Sequence, residues 1–304
     1  MALKETKIVF DNSAIEAIYL NPEGILQNID SFWTYNKAFA LTKDWHARNN
    51  VEIPYKKWKK SIAEIEKLSS QEAKNFIVYK NGQYIIAKSS LFNEKAVPHI
   101  FTFLPNSVYT IEANIFLLTG TVPYAFAYQG NIVLDLAMPK LENNPERILN
   151  ILVHEVYHIG LNQVIAARTP ENLKNNTIDY LYNFLLNEGI ASYVAYTAQD
   201  IFPNYDFNDY KMFENENDVK KHVILVNSLF SKIKTKSDME MRLLSQKIGV
   251  KKRAYYVTGL YMVQTIDRKL GRETLIKAIA DGPKEFFRCY NSLVSEEFKI
   301  VELY

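Results

Sequence analysis

Between residues 152 and 158 the chain reads Leu-Val-His-Glu-Val-Tyr-His, so two imidazoles stand four residues apart around a carboxylate. On an α-helix that spacing puts both histidines on one face, about a turn from each other. The flanking sequence supports a helix. Asn144 suits the N-cap, Pro145 the first helical position, and Glu146 the positive end of the dipole, so a helix is predicted from there to about Arg168. Ile148, Leu149, Leu152, Val156 and Ile159 make this helix largely apolar. Two unpartnered imidazoles there would carry a polar-group burial cost, which a shared cation removes.

The pattern is HExxH. His154 and His158 are expected to ligate one tetrahedral zinc ion, and Glu155, beside them, to act as general base toward a water on that ion. Glu155-Val-Tyr-His158 is also a Glu-x-x-His pair, but a di-iron bundle needs two such pairs, and none of His46, His99 and His222 has a glutamate three residues before it. A third histidine six residues after the second is excluded, because Leu161 and Val164 stand where Gly and His would be. The third ligand must come from another element. Asn187-Glu188-Gly189-Ile190-Ala191-Ser192 offers Glu188 among small residues, with Asp179 as the other candidate. A helical glycine costs roughly 1 kcal/mol relative to alanine, so Gly189 implies close approach to a neighbouring helix, as bringing a carboxylate to the metal helix requires.

The rest of the sequence predicts an α+β fold. Phe32, Tyr35, Phe39 and Ala40 share a helical face, and a lysine-rich amphipathic helix is expected around Trp58. Phe76–Lys80 and Gln83–Ala87 flank Asn81-Gly82, a two-residue hairpin signal, and Val108–Leu118 and Asn131–Leu136 are β-rich. A second long helix is expected from about Thr177 to Gln199, then a loop over Pro203–Asn217, then helices near 218–235, 252–270 and 272–280. The expected architecture is a mixed α/β N-terminal half with a mostly antiparallel sheet and a predominantly helical C-terminal half, with an active-site cleft between them. The expected subdomains are 1–168, which includes the HExxH helix, and 169–304.

Composition narrows the partners. A formal charge of +2, with basic and acidic residues interspersed, gives no field suited to a nucleic acid. The single cysteine, Cys289, excludes an intramolecular disulfide and a cysteine metal cluster. No apolar run reaches the ~18 residues of a membrane span, and Met1-Ala-Leu-Lys-Glu lacks a signal peptide's apolar core. The sequence as it stands reads as cytoplasmic, or as exported if a leader has been removed; oligomeric state is left open.

HEVYH followed by NEGIASY resembles the gluzincin clan of zinc peptidases, and within it bacterial zinc-dependent peptidases without a characterised activity. The resemblance implies His154, His158 and Glu188 as zinc ligands, Glu155 as base, and a peptide or protein substrate. Ser192 stands where thermolysin-like members often have a supporting aspartate, and the separation of His158 from Glu188 is longer than theirs. The segment Tyr124 to Val133 resembles the edge strand over the cleft in such peptidases, implying Ala125, Phe126 and Ala127 as substrate-binding residues. Tyr255-Tyr256-Val257-Thr258-Gly259 through Gly271 resembles a late helix that places a tyrosine near the zinc, implying Tyr256 as oxyanion donor, with Tyr255 and His222 as rivals. An inactive peptidase-fold binding protein would not need the base, and base and both histidines are present. A zinc hydrolase of a non-peptide substrate is the nearer alternative.

Overall fold

The computed structural model describes residues 4–28, 37, 40, 41, 44, 72–119, 125–137, 141, 144–168 and 177–303. The helices expected on Phe32, Tyr35 and Phe39 and around Trp58 fall on residues outside these. Two compact units are present: Met1–Pro98 with Tyr109–Ile159, and His99–Val108 with Gly160–Tyr304.

In the first unit, β1 (Glu5–Asp11), β2 (Thr110–Leu118), β3 (Ala125–Tyr128) and β4 (Asn131–Asp135) form one sheet in the order β1-β2-β4-β3. Every residue of β4 is buried, the pattern of a central strand covered on both faces. The expected strands at 108–118 and 131–136 are present, but the sheet is not mostly antiparallel. β1 pairs with β2 and β2 with β4 in parallel, and only β3–β4 is antiparallel. Both parallel pairs join strands that are not consecutive in the chain or are separated by helices, so no tight turn sets their direction.

The hairpin expected at Asn81-Gly82 is not formed. Those residues lie inside a helix, α3 (Glu72–Ala87), which follows α1 (Ser13–Leu20) and α2 (Pro22–Gln27). The buried positions 75, 78, 81, 82 and 85 follow helical spacing, and burial of this stripe outweighs the local turn signal. Gly82 packs against α1: a Cβ there would lie 3.5 Å from Ile15 and 3.6 Å from Leu136, ordinary contact distances. Gly82→Ala is therefore expected to stabilise the protein by ~0.5–1 kcal/mol through helix propensity, read as a raised urea midpoint; a lowered midpoint would contradict this packing. The hairpin that does form joins β3 to β4 through Gln129-Gly130, at φ 49° and 72°, as a two-residue turn of the primed type needs. Asn131 fixes it, its amide donating to the carbonyls of Tyr128 and Gln129 while its oxygen accepts from Asn114.

After α4 (Val97–Phe101), α5 (Glu146–Arg168) is the predicted long helix, its start marked by Asn144 and Pro145. The second unit is helical: α6 (Thr177–Thr197), α7 (Asn208–Phe213), α8 (Glu216–Phe230), α9 (Asp238–Ser245), α10 (Ala254–Leu270), α11 (Arg272–Asp281) and α12 (Pro283–Asn291). The stretch 203–217, expected as a loop, contains α7 because Tyr210 and Phe213 bury against Tyr196. A π-helical turn, Gln246–Lys251, lies between α9 and α10. Arg168, near the end of α5, donates to the Ile279 carbonyl at 2.7 Å and to Asn183 at 2.6 Å, tying that end to α6 and α11. No helix among the described residues is long and apolar enough to cross a membrane.

The chain past α12 is held in extended form by side-chain amides. Asn227 donates to the Lys299 carbonyl and accepts from the Val301 N–H, and Asn291 does the same with both groups of Ile300, at 2.8–2.9 Å. Asn227→Ala removes two of these bonds at once and is expected to cost ~1–3 kcal/mol, measured by denaturant unfolding; a cost below ~0.5 kcal/mol would mean the clamp is ornamental.

Candidate metal centre

The sequence of α5 fixes the first part of the site. Leu152, Val153, Val156 and Tyr157 are fully buried, which locks the helix's rotation and sets His154 and His158 on a shared stripe. The two rings are perpendicular with centroids 4.5 Å apart, and their Nε2 atoms approach to 2.9 Å. Both nitrogens are thus turned toward one point, as two imidazoles are when their lone pairs share a cation. Glu155 and His158 are each 8% exposed, while His154 is half-buried.

Glu188 is placed by α6. The next residue, Gly189, meets Gly259 of α10 backbone to backbone: a Cβ at 189 would lie 2.4 Å from the Gly259 Cα, and one at 259 would lie 2.5 Å from the Gly189 Cα. The close approach inferred from Gly189 is therefore real, but its partner is α10. One ligand atom each from His154, His158 and Glu188 lie within 4.8 Å of one another, a group of three potential metal ligands. An N, N, O donor set of this kind suits zinc and leaves a fourth position for water or substrate.

Tyr256 lies in the first turn of α10, with the Arg253 guanidinium 3.2 Å over its ring. Arg253 in turn grips Asp209 through Nε and Nη2, at 2.6–3.1 Å. Burial alone would push the Arg253 pKa down; Tyr256, Asp209 and, more weakly, Glu188 hold it up. The rival donors are engaged elsewhere. Tyr255 is fully buried against Gly249 and Phe184, its hydroxyl is hydrogen-bonded to Ser245 at 2.9 Å, and burial raises its pKa. His222 donates from Nδ1 to the Asp218 carbonyl at 2.6 Å, so in its neutral form Nε2 carries no proton to offer an oxyanion.

A family model described as "Putative zinc dependent peptidase (DUF5700)" matches residues 32–297. The chain belongs to this family. No curated protein and no solved structure matches it. The description of DUF5700 as zinc dependent agrees with the donor chemistry of the three clustered side chains.

In this DUF5700 chain the segment expected as an edge strand divides: Ala125–Tyr128 is β3, at the end of the sheet order among the described residues, whereas Asn131–Val133 lie in the buried inner strand β4. The register of β3 pairs Tyr128 with Asn131 beside the turn, so alternate residues, Ala127 and Ala125, turn their backbone N–H and C=O away from β4. The Phe126 side chain instead joins the core with Phe116, Leu118 and Val133. Asp179, the other candidate ligand, is not in the three-residue group. Sequence reasoning did not find Arg253 and Asp209. They are 44 residues apart, Asp209 lay in a segment expected to be loop, and no spacing rule joins them.

Proposed function

We propose that the protein is a zinc-dependent peptidase with a single ion held by His154, His158 and Glu188. The observation that carries this reading is the convergence of those three ligand atoms, in a chain whose family is described as zinc dependent. Zinc bound there supplies a Lewis acid that acidifies a water and polarises the scissile carbonyl. Glu155, one residue from His154, takes the water's proton on a carboxylate oxygen and delivers it to the leaving amine nitrogen. Tyr256 donates its phenol proton in a hydrogen bond to the developing oxyanion, a role left to it because the Tyr255 hydroxyl is spent on Ser245. Ala125 and Ala127, with backbone groups turned outward from β3, align an extended peptide by main-chain hydrogen bonds.

The test is metal analysis of the purified protein together with cleavage of a peptide library, before and after chelation. Zinc bound by the wild type and lost in His158→Ala, with cleavage that disappears on chelation and returns with zinc, is the expected result. A wild type that binds no zinc, or that cleaves equally well without it, would end this reading.

A further inference from the structure

Arg253 is a non-glycine residue in the left-handed region, at φ 62° and ψ 17°, immediately before α10 and two residues after a π-helical turn. So sparsely populated a backbone conformation persists only where surrounding contacts over-determine it. Here the contacts are specific. The Asp209 side chain, 4% exposed, takes two guanidinium nitrogens, and the guanidinium carbon stands 3.2 Å over the centre of the Tyr256 ring. The Arg253 side chain is not used to cap the helix. Its fork is instead held edge-on by a buried carboxylate, with a flat cation presented to one face of one phenol. Nε and Nη2 are thus both committed to Asp209.

We infer that Arg253 is a positioning residue for the reaction proposed above: clamped by Asp209, it fixes the ring of Tyr256 and so the direction in which the phenol hydroxyl is presented. The inference rests on that reading for its chemical purpose, but not for its geometry. A ring free to rotate or tilt would offer its hydroxyl over a range of directions, and misplacing a catalytic group by about 1 Å is enough to cost ~10²-fold in rate. Asp209 belongs to the device as the group that keeps the guanidinium from following solvent. The same cation also lies within electrostatic reach of Glu188.

The experiment has two arms. In the first, kcat and KM are measured with zinc-loaded protein for Arg253→Lys, which keeps the charge but not the planar fork, and for Arg253→Met combined with Asp209→Asn, which leaves no buried carboxylate without its cation. Each is made alone and on Tyr256→Phe. The expected result is a fall in kcat of ~10-fold or more with KM within ~twofold, and almost no further fall once Tyr256 is Phe. Losses that multiply across the Tyr256→Phe background, or a kcat within ~twofold of wild type, would overturn the inference. In the second arm 3-fluorotyrosine is placed at position 256 and its fluorine resonance is recorded on metal-free protein. A single shifted line in the wild type that moves to the position of a mobile ring in Arg253→Lys is expected; an unchanged line overturns the inference. If the wild type cleaves no peptide, the peptidase reading fails on that result, and the fluorine line still decides whether Arg253 holds the ring.

Discussion

Glu155→Gln is expected to lower peptide cleavage by ~10²- to 10⁴-fold while zinc content stays at the wild-type level. The amide keeps the shape of the carboxylate but cannot accept and carry a proton, so the substitution removes the proposed base and leaves the proposed ligands in place. Glutamine fills the same volume at this buried position, so the helix packing and the approach of the two Nε2 atoms are expected to persist. The contrast with His158→Ala makes the result diagnostic: there both metal and cleavage should go together. Metal analysis and initial rates on one cleaved peptide suffice. Cleavage within ~threefold of wild type in Glu155→Gln would remove Glu155 from the mechanism, and loss of zinc in that variant would make it a ligand instead.

Gly259→Ala and Gly189→Ala should each destabilise the fold by ~3 kcal/mol, although alanine favours a helix by roughly 1 kcal/mol over glycine. The new methyl group would meet backbone: from 259 it lies 2.5 Å from the Gly189 Cα and 2.8 Å from the Leu185 carbonyl, and from 189 it lies 2.4 Å and 2.6 Å from the Gly259 Cα and C. No rotamer can relieve that, so α6 and α10 must separate, with Leu185, Leu260 and Val263 losing contact around them. Because Glu188 is the neighbouring residue, zinc retention should weaken in the same variants, whereas Glu188→Gln should weaken it with little change in unfolding midpoint. An unchanged midpoint in both alanine variants would show that the crossing is looser than its distances imply.

What was readable in the sequence was chemistry confined to one element. HExxH fixes its own geometry, since a helix is the only regular structure that brings residues four apart together; Asn144 to Arg168 could therefore be drawn from capping residues and apolar spacing. Gly189 disclosed a tight crossing, but a glycine says that something comes close and not what, and the partner was Gly259. Asn81-Gly82 misled because a turn signal is local, whereas the buried stripe of Val78, Gly82 and Ile85 depends on residues distant in sequence, Ile15 and Leu136 among them at Gly82; the turn that forms, Gln129-Gly130, carried the weaker dipeptide signal. Parallel pairing of β1 with β2 and the Arg253–Asp209 pair both join distant stretches of chain, and neither leaves a periodic trace.

The shortness of β3 sets a ceiling on what main-chain recognition can achieve. Four residues, of which Ala125 and Ala127 turn outward, offer a peptide at most two N–H and two C=O groups. At a net ~1 kcal/mol apiece this is about 4 kcal/mol, a dissociation constant near ~1 mM. If β3 aligns the substrate as proposed, it would dictate which way a peptide runs without retaining it, and selectivity among peptides would reside in their side chains. The same brevity makes β3 a poor template for stacking one copy of the chain on another.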